Sequence, residues 1–366
     1  MFSYRNQRKI SRVGIKSTFI ALLIVLALML AACGGDTTNQ QQLQPTVAPV
    51  NGFGTASNHV HSLLAFPPHV LVMATHYGLF RSEDDGATWK ETAAGPGQLM
   101  DGLMTYSLTY SPLDSQRLYV LTQPALGHPK GILGLYTSAD QGRTWKLSIT
   151  TASITAHNIY TVAAGNDTPN EVYIYVPDLG ALGLRISLDD GQHFSTTGTL
   201  PFSSIFGVRS IPGKPGHLLV YGTDGIAYST NGGNSWQVLK NITGAITEVT
   251  TPGPNMPIYA SGDAGIYISQ DGGTSFKLVY SQASFFSLSV SPLHPQILYG
   301  ETAVAVYRSE DGGHTWSALP HINGHLTNLA VDPMNASKVY LSLSYPTELY
   351  DFGQNGNVWT SLTPKA

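Results

Sequence analysis

A short motif, Ser-x-Asp-x-Gly-x-Thr-Trp or a close variant, occurs six times along the 366-residue chain. A worn seventh copy ends at Trp359. The aromatic residues that close the copies are 40 to 56 residues apart, which is typical of four-stranded propeller blades. They are Trp89, Trp145, Phe194, Trp236, Phe276, Trp316 and Trp359. The sequence therefore predicts an all-β fold, a single seven-bladed β-propeller of four-stranded blades.

The residue types within the motif predict a hairpin staple. Ser and Asp oxygens can accept hydrogen bonds from nearby backbone N–H groups, Gly supplies the positive φ of a tight turn, and the aromatic residue begins the next strand. We expect these acidic or amide residues to be structural, because one short turn offers too few oxygens to bind calcium. They are Asp84, Asp140, Asp189, Asn231, Asp271 and Asp311.

The motif resembles the Asp-box, or BNR repeat, of sialidases, xyloglucan-cleaving glucanases, sortilin-type receptors and photosystem II stability and assembly factor propellers. Over most of residues 33–362 the chain is most similar to the assembly factor propellers, which are single seven-bladed Asp-box domains. The resemblance implies that the Asp-box side of the ring is structural. It also implies a platform that binds proteins rather than a catalyst.

The amino terminus predicts export and lipidation. Five basic residues precede an apolar run from Phe19 to Leu30, which has the length of a signal-peptide core rather than of a membrane span. The segment Leu30-Ala31-Ala32-Cys33-Gly34 resembles a bacterial lipobox. We therefore expect a lipoprotein signal peptide over residues 1–32, lipid on Cys33, and a flexible tether that extends to residue 58. An ordinary secretory signal is the alternative.

Charge and cysteine content narrow the range of partners. Removal of residues 1–32 takes away five of the 19 Lys and Arg and leaves 23 Asp and Glu, so the formal charge becomes −9. Nucleic acid is therefore not an expected partner; the expected membrane contact is the lipid on Cys33, on the extracytoplasmic side of a bacterial membrane. Because Cys33 is the only cysteine, we expect no disulfide or thiolate site, and no cofactor or metal.

The propeller is predicted to span residues 59–362, followed by a tail over 363–366. Both end blades look complete, so we expect the ring to close by packing of blade seven against blade one. If the strands of each blade are named A to D in chain order, the B–C and D–A loops share one side of the ring. Loops on a rigid scaffold commonly carry function. The candidate ligand-binding residues there are His76, Tyr77, Asp101, Asp178, Asp224, Asp263 and Glu301.

Two functions remain open at this point. The first is non-catalytic binding of an unknown protein or glycan. The second is glycoside hydrolysis by loop carboxylates, which needs a carboxyl pair roughly 5 to 10 Å apart. A sialidase-like site also needs three arginines, and only Arg209 is predicted on an inner strand. No spacing distinguishes any carboxylate pair, and the glucanases that the motif resembles typically have two propellers. The sequence therefore favours binding.

Overall fold

The computed structural model describes residues 58–125 and 129–362. These residues form seven sheets of four antiparallel strands, which confirms the predicted all-β, seven-bladed propeller. Two short helices interrupt the strands, an α-helix at Thr151–Ile154 and a 3₁₀-helix at Pro177–Leu182. Among the described residues, no helix has both the length and the apolar character that a membrane crossing requires.

Each blade takes four consecutive strands of the chain. In chain order the blades comprise β1–β4 (Val60–Phe66, Val70–Thr75, Gly78–Ser82, Lys90–Glu91), β5–β8 (Leu103–Ser111, Asp114–Pro124, Gly134–Ser138, Lys146–Thr150), β9–β12 (Thr161–Ala164, Val172–Tyr175, Leu184–Ser187, Ser195–Thr196), β13–β16 (Gly207–Ser210, Leu218–Gly222, Gly225–Ser229, Gln237–Val238), β17–β20 (Ile246–Thr250, Ile258–Gly262, Gly265–Ser269, Lys277–Tyr280), β21–β24 (Ser287–Val290, Leu298–Glu301, Val306–Ser309, Ser317–Ala318) and β25–β28 (His325–Val331, Val339–Ser344, Glu348–Gly353, Gly356–Ser361). The predicted signal peptide, Cys33, the tether up to residue 57 and the predicted tail lie outside the described residues.

Burial follows the position of a strand within its blade. The seven A strands contact one another around the ring and surround its axis. Strands B and C are covered by the adjoining blades, so every residue of β2 and β3 is buried, and β2 accordingly has the mostly apolar sequence Val-Leu-Val-Met-Ala-Thr. Strand D is outermost, and both residues of β16 and of β24 are exposed. The hydrophobic core therefore lies between blades.

Buried tyrosines on the B strands link successive blades. The hydroxyl groups of Tyr259 and Tyr299 donate to backbone carbonyls of the next blade at 2.9 and 3.1 Å. Tyr119 makes the equivalent bond from blade 2 to the Pro169 carbonyl at 3.1 Å. Each tyrosine side chain thus fills space between two blades while its hydroxyl group keeps a hydrogen-bond partner.

The ring closes by packing of blade 7 against blade 1, as expected, and the structure adds a buried ionic contact. Within residues 58–125 and 129–362, each end sheet has four strands of its own, and no strand is exchanged between them. Lys338 of blade 7 is only 2 % exposed, and its Nζ lies 3.2 Å from Asp85 of blade 1 and 3.5 Å from Asp332. The Tyr340 hydroxyl donates to the same two carboxylates at 2.7 and 2.9 Å.

The repeat motif folds as a compact turn between strands C and D. In blade 6 the Ser309 hydroxyl donates to Asp311 and accepts from the buried Gly313 N–H, both at 2.9 Å. Asp311 Oδ1 accepts the N–H of Thr315 at 2.9 Å. Although burial acts in the opposite direction, these hydrogen bonds, with that of the Thr315 hydroxyl foremost, lower the pKa of Asp311 to about 2.

Two blades vary this turn. In blade 4 the motif has Asn231, whose carbonyl oxygen accepts the Ser235 N–H at 2.9 Å and whose amide donates to the Ser235 hydroxyl at 2.9 Å. An amide therefore makes the same contacts as the carboxylate. In blade 7, where the motif is worn, residues 354–355 form a two-residue turn between β27 and β28. A tight hairpin replaces the staple there.

Candidate functional site

We call the side of the ring that carries the B–C and D–A connections the loop face, and the opposite side the Asp-box face. The B–C connections of the loop face differ between blades: residues 76–77 and 223–224 are two-residue turns, whereas residues 176–183 include the 3₁₀-helix. Every inner strand begins at the loop face, so side chains near its start border the mouth of the central channel. A site at this mouth combines residues from several blades.

Three histidines of blade 1 meet at the channel mouth; we call them the histidine cluster. His59 precedes β1, His61 lies within β1, and His76 is in the turn between β2 and β3. One ring nitrogen from each residue lies within 4.8 Å of the others. The centroids of the His59 and His61 rings are 4.4 Å apart, in an edge-to-face arrangement.

A β-bulge accounts for the position of His61. Val60 pairs with Thr75 and Ser62 pairs with Ala74, which leaves His61 as the extra residue of β1. A bulge bends its strand and re-aims the side chains around it. Without the bulge, His61 would follow the regular alternation of side chains between the two sides of the sheet.

Backbone hydrogen bonds fix the other two histidines. The His76 N–H donates to the His59 carbonyl at 3.0 Å. The Asn58 side-chain oxygen accepts the N–H groups of both His59 and Tyr77, at 3.0 and 3.2 Å. Asn58 is fully buried. The cluster thus stands on rigid backbone at the end of the β1–β2 ladder rather than on an unsupported loop.

Burial makes the rings of His61 and His76 neutral at pH 7. Burial lowers the pKa of His61 well below its ordinary value, and the nearby His59 and His76 lower it further. Burial, followed by the effect of His59, lowers the pKa of His76 to about 4. The Nε2 atom of His61 and the Nδ1 atom of His76 are buried without a hydrogen-bond partner. Two polar atoms of the cluster therefore lack the partners that buried polar atoms ordinarily have.

Three tyrosines surround the cluster. The rings of Tyr77, Tyr106 and Tyr345 each lie 4.5 to 5.0 Å from a histidine ring, measured between centroids. Tyr345, from blade 7, is 48 % exposed and has a φ of 59°, which is uncommon for an aromatic residue. Such rings offer apolar faces and polar edges to a ligand. The predicted candidates His76 and Tyr77 are thus in contact with each other at the mouth.

Sequence reasoning missed His59 and His61. The sequence pattern predicts the first inner strand over residues 62–66, whereas β1 begins at Val60. Four of the 12 histidines, His59, His61, His69 and His76, fall within residues 59–76, and this local concentration was the available signal.

Three predicted carboxylates, Asp178, Asp224 and Asp263, lie in B–C connections of the loop face. Asp178 lies in the first turn of the 3₁₀-helix of blade 3 and pairs with His157 at 3.0 Å. Asp224 is exposed in the two-residue turn of blade 4. Asp263 of blade 5 accepts the Ala245 N–H at 3.2 Å, which joins its B–C turn to the segment before β17. These positions belong to three different blades and do not form a carboxylate pair with one another in any described contact.

Asp101 has a carboxyl neighbour that the sequence did not single out. Its Oδ2 accepts the Gly97 N–H at 2.8 Å and lies 3.7 Å from Nζ of Lys130. Burial, and then the charge of Asp101, raise the pKa of Glu91 to about 7. Blade 1 therefore holds two neighbouring carboxyl groups, Glu91 on strand β4 and Asp101 on the following D–A loop.

Glu301 is buried rather than displayed. It ends β22, is 4 % exposed, and its Oε2 has no hydrogen-bond partner. Burial raises the pKa of Glu301 to about 8, so its carboxyl group is largely protonated at pH 7. Strand alternation puts it on the same side of β22 as Tyr299, which packs against blade 7.

Arg209 lies on the inner strand β13, as predicted. Its Nη2 is 2.9 Å from Oε1 of Glu248, and its Nε donates to the Val249 carbonyl at 2.8 Å. This guanidinium group is therefore engaged by a carboxylate and a carbonyl of blade 5. It does not belong to an arginine triad in the described contacts.

Solved propellers of different function share this fold. The GH74 xyloglucanase from Xanthomonas campestris is 17 % identical over 83 % of this chain and 52 % of its own, with a TM-score of 0.61. YCF48 bound to D1 peptide is 13 % identical over 81 % and 92 %, with a TM-score of 0.56. YCF48 from Cyanidioschyzon merolae is 14 % identical over 78 % and 95 %, with a TM-score of 0.53.

The chain is thus a seven-bladed propeller with the architecture of both YCF48 and the GH74 enzymes. It spans about half the length of the xyloglucanase and most of the length of YCF48. No protein-family model matches the sequence, and no curated protein does.

Proposed function

We propose that this protein is a lipid-anchored, extracytoplasmic propeller that binds a protein or glycan partner through its loop face, without catalysis. The observation that carries the proposal is the surface of that face: aromatic rings border the channel mouth, and apolar side chains stand exposed on loops that differ between blades. Examples are Leu182, 62 % exposed, and Val304, 70 % exposed. Exposed apolar groups on a rigid frame are typical of interaction sites.

Two solved propellers supply precedents for the partner. The YCF48 structure contains a D1 peptide, and the GH74 structure is that of a xyloglucanase, whose name indicates a polysaccharide substrate. Aromatic rings suit both classes, because they stack on sugar rings and pack against peptide side chains. The similarity in length to YCF48 favours the peptide.

Binding can be tested with a phage-displayed library of 12-residue peptides and with a glycan array. We expect ligands selected on the wild type to lose at least tenfold in affinity for a loop-face variant that combines Leu182→Ser, Val304→Ser and Tyr345→Ser. The matched control combines Leu113→Ser, Leu293→Ser and Met334→Ser, three exposed apolar residues of the Asp-box face. Loss of binding in the control alone, or no ligand from either library, would contradict the proposal.

The anchoring part of the proposal concerns Cys33. In cells that incorporate labelled palmitate, the wild type should become labelled and Cys33→Ser should not, because the thiol is the acceptor. Cys33→Ser should also leave an unprocessed precursor or a released soluble form. Labelling that survives the substitution would refute the lipobox interpretation.

Glycoside hydrolysis is the second candidate, and the carboxyl pair of blade 1 favours it. The pKa of Glu91, raised to about 7, suits a general acid, and Asp101 is a neighbouring carboxyl group. Turnover of xyloglucan or sialosides that disappears in both Glu91→Gln and Asp101→Asn would establish hydrolysis. We expect no turnover by the wild type, because the pair lies on an outer strand and its following loop, away from the channel mouth.

A further inference from the structure

The histidine cluster presents three nitrogen donors at one point. Each imidazole contributes one ring nitrogen, and the three nitrogens lie within 4.8 Å of one another. In a tetrahedral zinc site, with Zn–N bonds of about 2.0 to 2.1 Å, the ligand nitrogens are about 3.4 Å apart. Side-chain shifts of about 1 Å would therefore bring the cluster to coordination distance, without movement of the strands.

The donor set selects a class of metal ion. Neutral imidazole is a preferred ligand of zinc, copper and nickel, whereas calcium and magnesium prefer oxygen donors. The cluster consists of three imidazoles, and the rings that lie next to it belong to tyrosines, which are not acidic ligands of the carboxylate type. A hard cation would find no charge compensation in such a group.

The cluster also has unmet bonding capacity and a rigid support. Nε2 of His61 and Nδ1 of His76 are buried without a hydrogen-bond partner, an arrangement that costs free energy unless a ligand satisfies them. The bond from the His76 N–H to the His59 carbonyl joins the two segments that carry the ligands. The donors are thus positioned before any ion arrives.

We propose that His59, His61 and His76 form a binding site for a divalent transition metal ion, with Zn²⁺ as the expected occupant. Three protein ligands leave a fourth position of a tetrahedral ion for water or for a donor atom of a bound partner. Since the site lies at the channel mouth on the loop face, that open position is accessible from the face proposed to bind ligands. The metal site does not depend on the proposed function, and a loop face that binds no peptide or glycan would leave it intact.

Calorimetry on the full chain, freed of metal with a chelator, tests the proposal. Titration with Zn²⁺ should show one ion per chain with a dissociation constant in the micromolar range or below. His61→Ala and His76→Ala should each weaken binding at least 100-fold. His321→Ala, an exposed histidine of a neighbouring loop, should bind like the wild type.

Two further measurements keep the test decisive if a variant folds poorly. Zn²⁺ should raise the melting temperature of the wild type and of His321→Ala, and should not raise that of His61→Gln, whose amide preserves a polar side chain. Co²⁺ should give the visible absorption of a four-coordinate nitrogen site in the wild type only. Absence of stoichiometric binding, or binding that is unchanged in His61→Ala and His61→Gln, would overturn the proposal.

Discussion

The Asp-box face and the loop face differ in how far one blade resembles the next. On the Asp-box face the bond from the motif glycine N–H to the motif serine hydroxyl measures 2.8 to 3.0 Å in all six copies. Its exposed apolar residues Leu113, Leu293 and Met334 each follow the proline of an A–B turn. On the loop face the connections range from two-residue turns to a segment with its own 3₁₀-helix.

This difference separates stability from recognition. A contact that recurs in every blade stabilises the unit that repeats, whereas a ligand needs features that break the symmetry. The histidine cluster, Tyr345 and the carboxyl pair of blade 1 each occur once. Substitutions on the Asp-box face should therefore change the free energy of unfolding, and exposed substitutions on the loop face should change binding instead.

The largest effect is expected at the ring closure on the Asp-box face. Lys338→Met removes the ammonium group between Asp85 and Asp332 and leaves two uncompensated, partly buried carboxylates. We expect a loss of about 3 to 5 kcal/mol in the free energy of unfolding, measured with urea. The exposed Lys146→Met serves as control and should change it by less than about 0.5 kcal/mol. A loss below about 1 kcal/mol in Lys338→Met would show that apolar packing alone closes the ring.

The next largest effect is expected at Glu301, the one buried carboxyl group among the predicted loop-face candidates. The pKa of Glu301 is raised from 4.5 to about 8, so the folded protein binds more protons than the unfolded chain between these values, and stability falls as pH rises. The wild type loses about 1.4 kcal/mol per pH unit in this range. Relative to the wild type, the free energy of unfolding of Glu301→Gln should therefore rise by about 3 kcal/mol between pH 5 and pH 8. Urea midpoints at both pH values measure this gain. If the difference in stability between Glu301→Gln and the wild type were the same at both pH values, this prediction would be wrong.

The sequence predicted the fold because the fold repeats. The sequence pattern predicts strands over residues 70–75 and 78–82, and β2 and β3 have these bounds, since apolar runs between turn residues mark buried strands wherever they occur. The buried Lys338 could not be foreseen, because an isolated lysine is ordinarily exposed and its partner Asp85 lies 253 positions earlier in the chain.

The candidate site was predicted only in part, for a related reason. His76 and Tyr77 were found as turn residues of the correct face, and the structure joins them to His59 and His61. The bulge at His61 leaves no mark in a period-two pattern, so the start of β1 was displaced by two residues. Asp224 was chosen for its loop position alone, and loop position does not report which side chains converge.

A smaller effect is expected from substitutions in the turn that the repeat motif forms. Ser309→Ala should cost about 2 kcal/mol, because the buried Gly313 N–H loses its acceptor. Asp311→Asn should cost less than about 0.5 kcal/mol, since Asn231 makes the same contacts in blade 4 and the Asp311 carboxylate lies at the surface. Thermal or urea unfolding of the two variants measures the contrast. Equal losses would mean that charge, rather than the serine bridge, stabilises the turn.

The smallest effect on stability is expected on the loop face, and it is the one that most sharply divides the two faces. Leu182 and Val304 are exposed, so Leu182→Ser and Val304→Ser remove little buried area, and each should change the free energy of unfolding by less than about 0.5 kcal/mol. Leu293→Ser, at an exposed position of the Asp-box face, should be equally silent in unfolding. If the faces differ as proposed, the first two variants weaken capture of the selected peptide or glycan and the third does not. A loss of stability above about 1 kcal/mol in either loop-face variant would show that these side chains are packed against the scaffold, and would remove them from the proposed binding surface.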